Sequence, residues 1–419
     1  MYVALLGDQP AAGVVGLVLA VLLFRDWRVW ATLAAATLPF AAPLVVSAGG
    51  LGLALCDIFA VLALASYYSQ GKHRDLPWRP LAAVAVPVAG AAVYFIVAGL
   101  QVVGVHPSIH TALTLVQRIE LVVVWLVLGA VIYQGKALRP VLIVYVAGSL
   151  LLALAWYAAP GSTGVLGVQK NPAGSVIVVA ILIALIMWKS TWRLVPVVIL
   201  VGGLACTGSR GSMVSLAVAA LVLLALGRSL KTSVIALAGM GAAAWAALAF
   251  LPAAMVDRIL NRSSEGRYNA DLRDVFVEDA LTQWSHHQWT GVGIGEYQQY
   301  FSAIIRVPTT DPHNVYALAL VEGGWPLLLG FLFLMGVTMV WLVRHFRVSP
   351  LIVLAICASA ATFVHAYIDV YWVRGTPSLA WLLVGIAGGA IAASMSAELE
   401  PKPEHEPVQI GRPATPMRR

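Results

Sequence analysis

The chain has 419 residues, of which 60% are hydrophobic and only 11% are Asp, Glu, Lys or Arg, with a mean hydropathy of +0.87. That balance excludes a soluble globular protein. The formal net charge of +7 needs no nucleic-acid partner, because short loops between apolar segments carry most of it.

Apolar stretches of bilayer-spanning length recur along the chain, and they predict about 13 helices in an all-α polytopic membrane protein. The expected positions are 11–24, 29–46, 51–68, 81–100, 113–133, 141–158, 173–188, 193–207, 211–227, 232–250, 315–343, 350–368 and 377–395. The first apolar run lacks a basic leader and an A-x-A type site, so no cleavable signal peptide is expected. Cys56, Cys206 and Cys357 lie in or beside apolar segments and read as small buried hydrophobes, too scattered for a disulfide framework or a metal cluster.

Basic residues alternate between the two sides. Arg25, Arg28, Lys72, Arg74, Arg79, Lys136, Arg139, Lys189, Arg193, Arg228, Lys231, Arg344 and Arg347 fall on one side with the basic C-terminal tail, which makes that side cytoplasmic. The opposite side holds the loops near His106 and Lys170, the run Ser209-Arg210-Gly211, the segment 252–312 and the turn from Asp369 to Arg374. The organisation expected is an N-terminal set of membrane helices over 1–251, a large external loop over 252–312, C-terminal membrane helices over 313–395 and a disordered cytoplasmic tail over 396–419.

The external loop is the one extended polar region, and loops of such length between membrane helices usually carry function. Its basic residues are all arginine, Arg258, Arg262, Arg267, Arg273 and Arg306, yet its acids outnumber them. Leu272, Val275, Phe276 and Ala280 recur at helical spacing, which predicts an amphipathic helix over 268–284 with Arg273 at the edge of the apolar stripe. The run Gly291-Val292-Gly293-Ile294-Gly295 lets the backbone turn closely but lacks the strand and helix context of a dinucleotide fingerprint.

Four motifs stand in order around this loop: Lys170-Asn171-Pro172, Thr207-Gly208-Ser209-Arg210-Gly211-Ser212, Arg273 ahead of the glycine run, and His313-Asn314 followed by Glu322-Gly323-Gly324. Each is weak alone. Together, over about 160–345, the chain resembles the O-antigen ligase and O-antigen polymerase family of bacterial membrane glycosyltransferases. It departs from the family pattern at Ala173, where a second Asn is common, and at Gln288-Trp289, where a Pro is common. The resemblance implies a GT-C-like fold of about 12 to 13 transmembrane helices in the bacterial plasma (inner) membrane. It also implies transfer of a glycan from a polyprenyl-diphosphate carrier to a sugar hydroxyl, at the periplasmic or extracellular face, with inversion and without metal or cofactor. The partners implied are the lipid-linked donor, a glycan or glycolipid acceptor and the surrounding membrane lipids.

The residue types suit that chemistry. Displacing a diphosphate requires neutralising charge on the leaving oxygens, by a metal or by fixed cations, and no clustered acidic motif stands on the external side. Arginine offers a planar fork that stays charged, which points to Arg210 and Arg273. Arg210 opens a helix that Ser209 is placed to cap, where free backbone N–H groups also face an anion. The competing readings are an interfacial snorkelling residue for Arg210 and a surface ion pair with Asp274 or Glu278 for Arg273.

An acceptor hydroxyl must lose its proton, and His313, where the loop re-enters the membrane, is the expected general base, against a reading as a helix-start residue that merely caps or packs. Asn314 orients the acceptor or a loop carbonyl, or serves the fold. Lys170, Asn171, Arg374 and Glu322 are the supporting residues, with Arg374 joining the phosphate site or pairing with Asp369. Glu322 lies nine residues beyond His313, too deep along a helix for direct contact. His106 and His110 do not by themselves make a metal site, while Asp57, Arg118, Glu120, Glu322, His365 and Asp369 lie in or near apolar helices, where ionisable groups are costly and tend to be paired or functional. Ligase and polymerase share the same donor chemistry and stay open here. A lipid or solute transporter would use Asp57, Arg118 and Glu120 as a pathway, but the chain shows no internal repeat of its helical pattern. A structural scaffold explains neither the arginines nor the run around His313.

Overall fold

A computed structural model describes residues 26–48, 51–70, 79–105, 107–227, 256–257, 264–297, 312–369 and 377–399. The protein is an all-α polytopic membrane protein, and seven of the described helices are long and apolar enough to cross a bilayer. The helices expected at 11–24 and 232–250 and the tail beyond residue 399 lie outside the described residues.

The N-terminal described part departs from two simple spans. Helix α1 (Trp27–Thr37) starts at Asp26, whose Oδ1 accepts from Arg28 N at 3.0 Å, and gives way to a 3-10 turn over Leu38–Phe40. Pro39 and Pro43 cannot donate to a continuing helical ladder, and the apolar residues that follow pair as antiparallel strands instead, β1 (Val45–Ala48) against β2 (Leu51–Ala54). The expected spans 29–46 and 51–68 therefore become shorter helices around a hairpin, the second being α2 (Leu55–Ser69).

Short α3 (Arg79–Ala83) leads into α4 (Ala85–Gly104), and α5 (Ile109–Gln134) follows with a π-helical stretch at Glu120–Val124. Then come α6 (Leu138–Ala158), a small hairpin of β3 (Gly164–Val165) and β4 (Val168–Gln169), α7 (Lys170–Met187), α8 (Leu194–Thr207) and α9 (Arg210–Ala225). The loop helix α10 (Ser264–His286) precedes α11 (Val315–Arg344), α12 (Pro350–Ile368) and α13 (Ser378–Leu399). The last helix runs beyond its expected end at 395, so residues 396–399 continue it.

The core is aromatic and small-residue. Trp125, Trp156, Trp381 and Tyr145 are fully buried, and α13 lies closely along α5 where Gly129 and Gly385 face each other. A Cβ on either glycine would overlap a backbone carbonyl of the other helix, Leu382 O or Leu126 O, so close approach replaces interdigitation at this crossing. The three cysteines are free and buried.

The loop helix is longer than the expected 268–284 and lies on α11. Phe276 and Ala280 are buried as the apolar stripe required, whereas Val275 turns outward and Val277 and Trp284 take part in the contact instead. One residue of helical rotation separates Val275 from Phe276, about 100°, which a stripe read over few residues does not resolve.

Candidate active site

His313 sits immediately ahead of α11 and bonds across to the end of α12, with its Nδ1 2.7 Å from Asp369 Oδ1. Burial alone pushes the Asp369 carboxyl up, but the hydrogen bond from His313 and the nearby Arg273 guanidinium outweigh it and hold the group below the ordinary carboxylate range. An ionised carboxylate only accepts, so His313 Nδ1–H donates and Nε2 is left as the basic nitrogen. The His313 backbone has φ of 50°, a left-handed conformation uncommon outside glycine, and its ring stacks on Phe276 of α10 at 5.9 Å. With 28% of its side chain exposed, the imidazole is held but open.

Arg273, one turn before Phe276, reaches the same carboxylate. Its Nη2 lies 3.8 Å from Asp369 Oδ2 and its Nη1 donates to Ile368 O at 3.5 Å. The competing reading, a pair with Asp274 or Glu278, does not occur among the described ion pairs. Arg210 opens α9, with Ser209 Oγ accepting from Ser212 N at 3.4 Å as the cap, and it is near enough to Arg273 for the two charges to repel. Arg210, Arg273, His313 and Asn314 line one cavity of about 670 Å³, together with Asp274, Glu278, Thr282 and Ser285 of α10.

The supporting residues separate by position. Asn314 is the N-cap of α11, its Oδ1 accepting from Tyr316 N and Ala317 N at 3.0 and 3.1 Å, so its carbonyl is committed to the fold. Asn171 lies beside the start of α9, where Ser209 Oγ donates to its Oδ1 at 2.9 Å. Ala173 is buried and does not remove that polar contact. Lys170 begins α7 and does not line the cavity, and Arg374 lies outside the described residues. His106 and the loop arginines Arg258, Arg262 and Arg306 lie there too, as do Thr310 and Asp311.

Glu322 serves a joint rather than the cavity. At Gly323 and Gly324 the helix α11 breaks, and the freed carbonyls of Val321 and Glu322 accept from Val292 N and Gly293 N at 2.8 and 2.9 Å. Trp325 N donates back to Gln288 O at 2.9 Å. Glu322 Oε1 accepts from Gly295 N at 2.8 Å, while Oε2 meets Arg118 Nη2 at 2.6 Å. Positive φ at Gly291, Gly293, Gly295 and Gly324 brings the two backbones into contact, and a Cβ at Gly291 or Gly324 would overlap the opposing chain. The glycine run and the Glu322-Gly323-Gly324 motif are thus the two halves of one docking joint that fixes the C-terminal end of α10. His110 adds to it through Nε2 and Gly295 O at 3.3 Å.

Asp369 stood in the sequence as one of several costly ionisable groups near apolar helices and as an alternative partner for Arg374; in the structure it receives His313 and Arg273. His365, four residues before it, is buried and bonded through Nδ1 to Ser175 Oγ at 3.0 Å.

No curated protein matches the chain. Residues 195–332, from α8 through Arg210, Arg273 and the glycine joint into α11, match the family model described as O-antigen ligase, and this supports the O-antigen ligase and polymerase family and its membrane glycosyl-transfer function for the protein.

Proposed function

We propose that the protein is a metal-independent, inverting glycosyltransferase that moves a glycan from a polyprenyl-diphosphate carrier to an acceptor sugar hydroxyl at the outer face of the bacterial inner membrane. The observation that carries this reading is the convergence of Arg210, Arg273 and the His313–Asp369 pair on one cavity.

In this reading the donor diphosphate lies against Arg210 and Arg273, whose paired charges supply the neutralisation that a metal provides elsewhere. His313 Nε2 takes the acceptor proton as the hydroxyl oxygen forms its bond to the anomeric carbon. The bond from that carbon to the diphosphate oxygen breaks, and the polyprenyl diphosphate leaves with the electron pair. Attack opposite the leaving group inverts the anomeric centre. Asp369 holds the imidazole in the tautomer that leaves Nε2 free and stabilises the imidazolium that forms. Beyond Arg273, the side chains of Glu278, Thr282 and Ser285 of α10 offer hydrogen bonds to sugar hydroxyls, which supports an acceptor along that part of the helix. The loop 252–312 and the helix ends around it are assigned to the periplasmic side by the alternation of Lys and Arg in the sequence.

Purified protein incubated with a lipid-linked oligosaccharide and a saccharide acceptor tests this directly. Transfer with release of polyprenyl diphosphate is expected in chelator as well as without it, and chelator-sensitive turnover overturns the metal-independent mechanism. His313→Ala is expected to bind the donor lipid and to lose transfer; undiminished transfer removes His313 from its role. Single-addition products identify a ligase, and ladders identify a polymerase.

A further inference from the structure

The helix α7 begins beside the catalytic cavity, at Asn171, and ends at Met187 against a second cavity of about 1500 Å³. Its 18 residues span roughly 27 Å at about 1.5 Å per residue, close to the hydrocarbon thickness of a bilayer. The second cavity therefore opens at the opposite membrane interface from His313.

Its lining is amphipathic. Arg79, Lys136 and Arg139 are exposed cations on it, joined by Tyr67 and Tyr133, and none of the three cations belongs to an ion pair among the described residues. No acid stands among the described residues that line it. Below them the wall is apolar, with Leu138, Leu142, Ile143 and Met187. Lys136 is set in place by its backbone: its φ is 57°, and the preceding Gly135 carbonyl accepts from Arg28 Nη2 at 3.1 Å. The left-handed Lys136 caps the end of α5, with Lys136 N donating to Tyr133 O and Ala137 N to Ile132 O, so this turn brings the residue to the rim of the cavity.

We infer that this cavity binds one anionic phospholipid, with the phosphodiester among Arg79, Lys136 and Arg139 and the acyl chains along the Leu138, Leu142, Ile143 and Met187 wall. Clustered cations at an interface attract anionic headgroups, and the apolar wall beneath distinguishes a lipid from a free anion. A free phosphate would satisfy the cations and leave the wall uncovered. The site stands apart from Arg210 and Arg273 and does not depend on the reaction assigned to them.

Native mass spectrometry of the purified full chain, exchanged into detergent with defined lipid, tests the inference. Phosphatidylglycerol is expected to be retained as one molecule per chain, at least about tenfold more tightly than phosphatidylcholine of the same chain length. The variant Arg79→Gln/Lys136→Gln/Arg139→Gln is expected to lose that preference. Ile143→Trp, which fills the wall and keeps every charge, is expected to weaken phosphatidylglycerol as well, so the result does not rest on one variant folding. Equal retention of the two lipids by the unaltered protein overturns the inference. So does unchanged selectivity in the triple variant, or displacement of phosphatidylglycerol by millimolar inorganic phosphate.

Discussion

Two sets of paired charges hold helices together, Arg273 of α10 and His313 on Asp369, and Arg118 of α5 on Glu322 of α11, and they differ in what surrounds them. Arg273 and His313 meet Asp369 at the edge of an open cavity, with 29% and 28% of the two cationic side chains exposed. Arg118 meets Glu322 with 15% and 3% exposed, and that carboxylate spends its other oxygen on the backbone of the glycine run. The first pair leaves an imidazole nitrogen facing open space, so its charges are available to a ligand. The second is consumed by the fold. Charged residues near apolar helices are therefore not equivalent evidence of chemistry, and the accessible volume beside the pair decides which kind it is.

The largest effect expected from breaking this contrast is on the open pair. Asp369→Asn retains the shape but lets the amide donate to Nδ1, which favours the wrong tautomer of His313. Transfer is expected to fall by on the order of 10² to 10⁴ in kcat, with donor binding little changed and the unfolding temperature lowered far less than by a joint variant. A fall in unfolding temperature equal to that of a joint variant would erase the distinction drawn between the two pairs.

At the joint the order reverses. Arg118→Leu leaves Glu322 buried without its cation, and stability is expected to drop by about 3–5 kcal/mol, read as thermal unfolding in detergent. The activity that remains below the transition is expected to show a changed KM more than a changed kcat, since the joint positions α10 and touches no reacting atom. The double variant Arg118→Leu/Glu322→Leu is expected to recover part of the loss, because no buried charge is then stranded.

Between the two lie the arginines of the cavity. Arg210→Lys preserves charge and removes the fork, and a loss of roughly tenfold in kcat/KM is expected, against on the order of 10²-fold for Arg210→Ala. Equal activity of Arg210→Lys and the unaltered protein would argue that a point charge suffices.

The smallest effect concerns acid. Because the Asp369 carboxyl titrates lower in the folded protein than in the unfolded chain, the stability it contributes is complete above the ordinary carboxylate range and is lost only as the pH falls below about 4. Unfolding temperatures of the unaltered protein and Asp369→Asn are expected to converge below that pH and to stay parallel above it. Convergence near neutrality would mean that the carboxyl is not held low.

The long helices from α4 onward were legible because apolar length and the spacing of Lys and Arg are local quantities. The helices α11 and α12 begin and end within about two residues of the stretches read from composition. The first described part was not, since the same apolar count supports a helix or a hairpin, and Pro39 with Pro43 decides only where the helix stops. Arg210, Arg273 and His313 were chosen as residue types suited to diphosphate chemistry, and their convergence on one cavity was expected from that shared chemistry rather than from any pattern in the sequence. Glu322 was read as too deep along its helix to touch His313; its partner Arg118 is 204 positions away, and no pattern in either segment announces it.

What the amino-acid order determined by itself is a membrane-embedded helical chain with one polar excursion, because hydropathy and capping act over a few residues at a time. It also determined that glycines must stand at 291–295 and 323–324, without saying what they approach. Tertiary structure alone decided that these two runs close on each other, that Asp369 rather than a loop acid receives His313 and Arg273, and that Asn314 is spent as a cap. Those outcomes depend on which helix ends meet in space, and burial and distance, unlike periodicity, belong to the assembled bundle.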